Sequence, residues 1–183
     1  MEQVSSQEVE QMLALVSPQR REQALRYKHT LGRFCCLKSW LMLQAELSAI
    51  GYQLSEFSYN EHGKPYMPIG PYFSLSHCKQ GIAVAVSDQP VGIDIEGIRH
   101  AEQDLIERTM NREEQALICS DRDFTRLWTQ KEAVLKAEGT GIESFEQLQG
   151  VLSRLPSAVS LQTIEKDNYI YSIANGKLHC FGA

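Results

Sequence analysis

Val91-Gly92-Ile93-Asp94-Ile95-Glu96 alternates strictly between branched apolar residues and Gly, Asp and Glu. That alternation predicts a β-strand with two unlike faces. Side chains two apart on a strand share a face and stand about 6.6 Å apart along it. Val91, Ile93 and Ile95 are therefore expected to enter a core, with Asp94 and Glu96 together on the opposite face. Two carboxylates on one face repel each other unless a cation lies between them. Oxygen-only ligands suit a hard ion such as Mg²⁺, which needs few protein ligands and keeps waters and substrate phosphates. The plain alternative is a strand with one wet face.

Downstream, Asp123 to Glu138 reads as one long helix ended by Gly139. At about 100° per residue, Phe124, Leu127, Trp128, Val134 and Leu135 form an apolar stripe. Lys131 falls inside that stripe, where a lysine must snorkel or meet an anion. Glu132 and Lys136 lie on the flank beside Trp128. The plain reading of these two is a surface ion pair one helical turn apart, worth a few tenths of a kcal/mol. The other is a cationic flank with one carboxylate, suited to a phosphate ligand and its metal. Ahead of this helix, Asn111-Arg112-Glu113-Glu114 has the form of a capping box that opens a shorter one.

Upstream of the alternating strand, Phe73-Ser74-Leu75-Ser76-His77 and Ile82 to Val86 read as two further strands. Gly63-Lys64-Pro65 and Pro68-Ile69-Gly70-Pro71 punctuate a loop before them. His77 beside Cys78 suggests a thiol nucleophile, but adjacent strand residues face opposite ways and should not meet. Ser17-Pro18 is a good helix start, and the helix it opens is expected to reach about His29. Gly32 is a candidate break. Phe34, Leu37, Leu41, Ala45 and Ser48 then keep helical spacing as far as Gly51. Beyond Glu138, Ser144 to Ala183 is weakly patterned and is expected to add strands at the far edge.

The net charge of −5 argues against general nucleic-acid binding. Charge is nevertheless uneven: Arg20, Arg21, Arg26, Lys28, Arg33 and Lys38 face a single acid, Glu22, between Ser17 and Lys38. That patch is either a solvated helix face or a grip for an anionic ligand. The sequence has no run of eighteen apolar residues to span a membrane, and residues 1–10 lack the basic and apolar regions of a secretory signal. The five cysteines include no C-x-x-C pair, so neither a zinc site nor a disulfide framework is indicated. The expected location is the cytoplasm. A length of 183 residues allows one domain or two small lobes sharing a core.

Four segments together resemble the 4′-phosphopantetheinyl transferase superfamily, of the type that activates surfactin synthetase. The family pattern runs Gly-Lys-Pro, Ser-His, G-x-D-x-E and W-x-x-K-E-x-x-x-K. Here these are Gly63-Lys64-Pro65, Ser76-His77, Gly92 to Glu96, and Trp128 to Lys136 in the W-x-x-K-E-A variant. Order and spacing match from about Ser17 to Ile142. The chain departs from the pattern at Ser74, where asparagine is common, and at Gln23, where a basic residue is common. It also lacks the usual strand before the first helix.

The resemblance implies an α+β fold of two similar halves related by a pseudo-twofold, residues 1–87 and 88–183, with coenzyme A in the cleft between them. It implies transfer of phosphopantetheine from coenzyme A to a serine of an acyl or peptidyl carrier protein, releasing 3′,5′-ADP. Asp94, Glu96 and Glu132 would hold Mg²⁺, or Mn²⁺. Glu132 and Lys136 would be the catalytic residues, the first as proton acceptor for the serine. Arg20, Arg33, Lys64, Ser76, His77, Lys131 and Lys136 would bind coenzyme A, and Ile142, Phe145 and Leu148 would meet the carrier protein. One chain carrying both halves is expected to act as a monomer. Two other classes stay open: a non-catalytic carrier- or coenzyme-A-binding homologue, and a metal-dependent nuclease.

Overall fold

The computed structural model describes residues 4–53 and 57–176. The chain begins with three helices: α1 (Ser6–Leu13), α2 (Pro18–Leu25) and α3 (Thr30–Ala49). A small hairpin follows, β1 (Ser58–Tyr59) with β2 (Pro65–Tyr66), and then a second, β3 (Tyr72–His77) with β4 (Ile82–Ser87). After these come β5 (Val91–Gly97), α4 (Gln103–Thr109), α5 (Arg112–Leu117), α6 (Asp121–Glu138) and α7 (Phe145–Gln149). A short 3-10 turn, Leu152–Arg154, leads to β6 (Ser160–Glu165) and β7 (Tyr169–Asn175). The fold is α+β, with every strand pair antiparallel.

Local chemistry explains most boundaries. Ser17 caps α2 by accepting the Arg20 amide, and Pro18 fills its first turn. The predicted capping box at Asn111 and Glu114 forms in full. A second box, Ser5 with Glu8, opens α1, a helix that the polar N-terminal sequence concealed. Gly32 is no break, because it lies inside α3. It is small because the Tyr27 ring covers it: a Cβ there would come within 2.8 Å of Tyr27 Cδ1.

The buried face of α3 carries Cys36, Leu37, Trp40, Leu43 and Leu47, while Ala45 and Ser48 are exposed. The predicted stripe was thus rotated, because the helix contacts α1 and α2 as well as the β3–β4 hairpin. These residues join Val9, Val16, Ala24 and Phe73 in one core. Each fully buried leucine there stabilises by about 1.5–3 kcal/mol.

The second core is built on α6. The C-terminal strands extend the sheet beyond β5 in the order β5-β7-β6, so β7 lies in the middle and β6 forms the far edge. The β6–β7 hairpin folds back so that its second strand meets β5. The tail at 177–183, included in the strand expectation, lies outside the described residues. Thr129, Ala133 and Ala137, one turn apart, put small side chains on one side of α6, and all three are buried. A Cβ on Gly92 would lie 1.9 Å from the Ala133 carbonyl oxygen and 2.4 Å from the Ala137 nitrogen. Glycine at this point of the strand lets the helix backbone rest directly on β5.

The two sheets meet without a shared backbone ladder. The Ile93 amide donates to Ser74 Oγ at 3.1 Å, and the Ile95 amide to Ser76 Oγ at 3.2 Å. Hydroxyls on β3 thereby satisfy buried amides of β5 that would otherwise cost about 1–3 kcal/mol each.

Candidate active site

Gly92, Asp94 and Glu96 share a face of β5, so the close approach of α6 at Gly92 also brings Glu132 and Lys136 over the two carboxylates. Asp94 is 3% exposed, not the wet residue of the plain reading. Lys136 Nζ donates to its Oδ1 at 2.5 Å, and Ser76 Oγ donates to the same oxygen at 2.9 Å. The other oxygen, Oδ2, is buried without a hydrogen-bond partner among the described residues. Lys136 also donates to Ser76 Oγ at 3.1 Å. The helix-surface pair Glu132–Lys136 is therefore replaced by a cross-element pair, Lys136–Asp94.

Burial, reinforced by the charges of Asp94 and Glu132, pushes the Glu96 carboxyl up to about 7, against the opposing pull of Arg99 and Lys136. Burial raises Glu132 as well, with Lys136 opposing and Asp94 adding. Like charges crowded away from water are what a divalent cation relieves. Among the described residues no three His, Cys, Asp or Glu side chains stand close enough to enclose an ion. The donor set still fits Mg²⁺, which fills most of its coordination sphere with water and substrate oxygens.

Beside the carboxylates lies a cavity of about 300 Å³ lined by Arg20, Lys64, His77 and Lys136. Gln23, His62, Gly139 and Gly141 complete much of the remaining wall. Arg20 sits beneath it, its guanidinium stacked 4.4 Å from the Trp40 ring centre. It donates to the Cys36 carbonyl at 2.6 Å and to Gln23 Oε1 at 2.8 Å, while its Nε is buried with no partner among the described residues. Gln23 orients Arg20 and takes the Tyr59 hydroxyl at 2.7 Å.

Lys64 donates to the carbonyls of Val91, at 3.3 Å, and Lys136, which ties the Gly-Lys-Pro loop to both β5 and α6. Burial lowers its ammonium to about 8. Asn60 shapes that loop by accepting the amides of His62 and Lys64 and donating to the Gly139 carbonyl at 2.7 Å. The Asn60 to Lys64 spacing was a readable signal that the motif comparison passed over. His77 keeps an exposed surface, yet the surrounding protein, and then Lys136 and Arg20, hold its imidazole below the usual value. Burial raises the Cys78 thiol, so nothing here supports the cysteine as a nucleophile.

Two expected residues fall elsewhere, and a third is engaged within the site. Lys131 is wholly buried, on the side of α6 away from the cleft. Its three protons go to Glu114 Oε2 (2.5 Å), the Leu148 carbonyl (2.7 Å) and the Thr109 carbonyl (2.9 Å), so it has none for coenzyme A. The anion it meets is internal. Arg33 donates to the Tyr27 carbonyl at 2.8 Å and does not line the cavity. The Ser76 hydroxyl is engaged with Asp94, Ile95 and Lys136, which uses its one proton and both lone pairs. In the segment beyond α6, Leu148 is fully buried and Arg108 stacks on Phe145 at 4.4 Å, leaving Ile142 as the exposed member of that trio.

Residues 90–176 match the family model described as the 4′-phosphopantetheinyl transferase superfamily. The chain is 36% identical over 140 residues to 4′-phosphopantetheinyl transferase AcpT of Salmonella typhi, covering 70% of this chain and 71% of that protein. It is 31% identical over 151 residues to 4′-phosphopantetheinyl transferase Sfp of Bacillus subtilis, covering 76% and 67% respectively. With AcpT of Escherichia coli O157:H7 the identity is 33% over 154 residues, covering 73% of each. A strand that seats two carboxylates under a helix-borne Glu and Lys, beside a cation-lined cavity, thus accompanies sequence likeness over most of the chain: this protein belongs to the 4′-phosphopantetheinyl transferase superfamily.

Proposed function

We propose that the cleft binds coenzyme A and that the chain moves its phosphopantetheine arm onto a serine hydroxyl of an acyl or peptidyl carrier protein. The serine oxygen forms a bond to the phosphorus nearer the pantetheine, and the bond from that phosphorus to the 3′,5′-ADP oxygen breaks. The observation that carries this reading is the unpartnered Asp94 Oδ2 beside the cation-lined cavity, with Lys136 fixed on the opposite oxygen.

Asp94, Glu96 and Glu132 would hold Mg²⁺ or Mn²⁺. When bound, that ion supplies charge neutralisation on the phosphate oxygens and alignment of the pyrophosphate. Glu132, whose proton affinity is raised, takes the serine proton directly or through a water. Lys136, held by Asp94 and Ser76 at the cavity wall, stabilises charge on the transferring and departing phosphates. His77, Lys64 and Arg20, which line the cavity, bind the phosphates of the 3′,5′-ADP portion.

The pairing of α3 with the β3–β4 hairpin and of α6 with the β5–β7 pair supports two similar halves, 1–87 and 88–183, that meet at the serine junction. On this reading one chain holds the whole site and acts as a monomer in the cytoplasm, binding neither nucleic acid nor membrane. No helix among the described residues is long and apolar enough to cross a membrane. The net charge of −5 disfavours a nuclease. The intact set Asp94, Glu96, Glu132 and Lys136 disfavours a non-catalytic binder.

The test is mass spectrometry of an apo-carrier protein incubated with coenzyme A. Asp94→Ala and chelator-treated wild type are each expected to lose transfer steeply. Full transfer by Asp94→Ala in excess chelator would overturn the metal assignment.

A further inference from the structure

We propose that Ser76 is a positioning residue for Asp94, acting through its hydroxyl to keep Oδ2 turned toward the metal, rather than a side-chain ligand of coenzyme A. The inference rests on the reading of Asp94 as a metal ligand.

A serine hydroxyl offers one proton and two lone pairs. Here the proton goes to Asp94 Oδ1 at 2.9 Å, and the lone pairs take the Ile95 amide at 3.2 Å and Lys136 Nζ at 3.1 Å. Nothing remains for a phosphate. The same three contacts make Ser76 the junction of three elements: β3 carries it, β5 supplies the amide and the carboxylate, and α6 supplies the ammonium. Asp94 Oδ1 accordingly has two donors, and Oδ2 has none.

Two donors on one oxygen fix the rotation of the carboxylate. With Ser76 gone, Lys136 would be the single donor left, free to bridge both oxygens or to follow a rotated carboxylate. The oxygen aimed at the cation would then be shared with the lysine. Ser74 provides an internal comparison. It is equally buried on the same strand and accepts the Ile93 amide at 3.1 Å, but it touches neither carboxylate nor lysine. Loss of either hydroxyl strands one β5 amide, and only loss of Ser76 also releases Asp94.

The experiment uses the full chain with saturating coenzyme A and follows Mn²⁺ binding by the loss of the free-ion electron paramagnetic resonance signal. Wild type, Ser76→Ala, Ser76→Cys, Ser74→Ala and Asp94→Asn are compared, with a thermal melt of each and coenzyme A affinity measured by calorimetry without metal. The expected result is Mn²⁺ binding about tenfold weaker in Ser76→Ala and near wild type in Ser74→Ala. Coenzyme A affinity should stay within about twofold for both, because neither hydroxyl is assigned to the ligand. Ser76→Cys, close in size but a weak donor, should follow Ser76→Ala and serves where the alanine variant does not fold. Ser76 variants that bind Mn²⁺ as wild type does, or that shift no more than Ser74→Ala, overturn the inference while Asp94→Asn still loses the ion. Undiminished Mn²⁺ binding by Asp94→Asn instead overturns the metal reading beneath it.

Discussion

Lys131 and Lys136 stand five residues apart on α6, about 140° around the helix axis, and their surroundings differ completely. Lys131 Nζ is enclosed by the Thr109 and Leu148 carbonyls and Glu114, all fixed by α4, α5 and α7. Lys136 Nζ is part-exposed at the cavity and holds one oxygen of Asp94 while the other stays free. On the buried side every proton of the ammonium has a protein acceptor, so nothing is left to react. On the cleft side the polar groups are partnered on one flank and open on the other. A single motif, Trp128 to Lys136, thus contains one lysine enclosed by the fold and one left at the cavity wall. What separates them is whether a neighbouring element closes over the charge.

The sharpest way to break this comparison is to remove charge on each side in turn. Glu132→Gln keeps the shape of the cleft side but can neither accept a proton nor give the metal a full charge. Transfer to an apo-carrier protein should fall by about 10²–10⁴-fold, with the melting temperature and coenzyme A binding close to wild type. Near wild-type transfer would return this side of the helix to a structural role.

Lys131→Met should do the reverse. It leaves Glu114 buried without its cation, and the Oε1 of that carboxylate already lacks a partner among the described residues. Breaking such a pair costs about 3–5 kcal/mol, read by denaturant unfolding, whereas coenzyme A affinity of the folded protein should not change. A loss of affinity would mean that Lys131 communicates with the cleft after all. Pairing the change with Glu114→Gln should restore part of the stability, because the stranded charge is removed.

Across the cavity from α6, His77→Ala should weaken coenzyme A binding by about 1.5–3 kcal/mol, measured by calorimetry. Dephospho-coenzyme A should lose less, if His77 meets the 3′-phosphate. Equal losses for both ligands would move His77 to another part of the ligand.

The smallest effect concerns Lys64, a third lysine between the two extremes: half-buried, engaged with two carbonyls, and lowered to about 8 by burial. Its folded pKa lies below its unfolded one. The folded state therefore binds fewer protons between about pH 8 and pH 10, and stability should rise with pH across that window. Wild type minus Lys64→Met, from denaturant unfolding at pH 7.5 and 9.5, should grow by about 1 kcal/mol. A flat difference would show that Lys64 keeps its water when folded.

Much of this was legible in the sequence because it depends on period and local chemistry. Alternation placed Val91, Ile93 and Ile95 opposite Asp94 and Glu96, but burial does not alternate along β5, because α6 covers the second face and buries Gly92 and Asp94 as well. The capping box at Asn111 and the stop at Gly139, with φ +84°, follow from residues within a turn of each other. The oddity of Lys131 was visible too, as a cation inside an apolar stripe, although its partner was not. The stripe of α3 was misplaced by part of a turn because three neighbours share that helix, and apolar residues occupy more than one side of it.

The sequence by itself determined the family, the alternating strand, the caps and the residue types gathered around the cavity. Only the tertiary structure decided that Lys131 pairs with Glu114, that Lys136 leaves Glu132 for Asp94, and that Ser76 faces a carboxylate and not the cation-lined cavity. The physical reason is that a helical or strand period fixes which side of its own element a residue occupies. It carries no information about which atoms of a distant element arrive opposite. For ionisable and hydroxyl groups, with a fixed number of protons and lone pairs, that arrival decides whether the group is consumed by the fold or left over for chemistry.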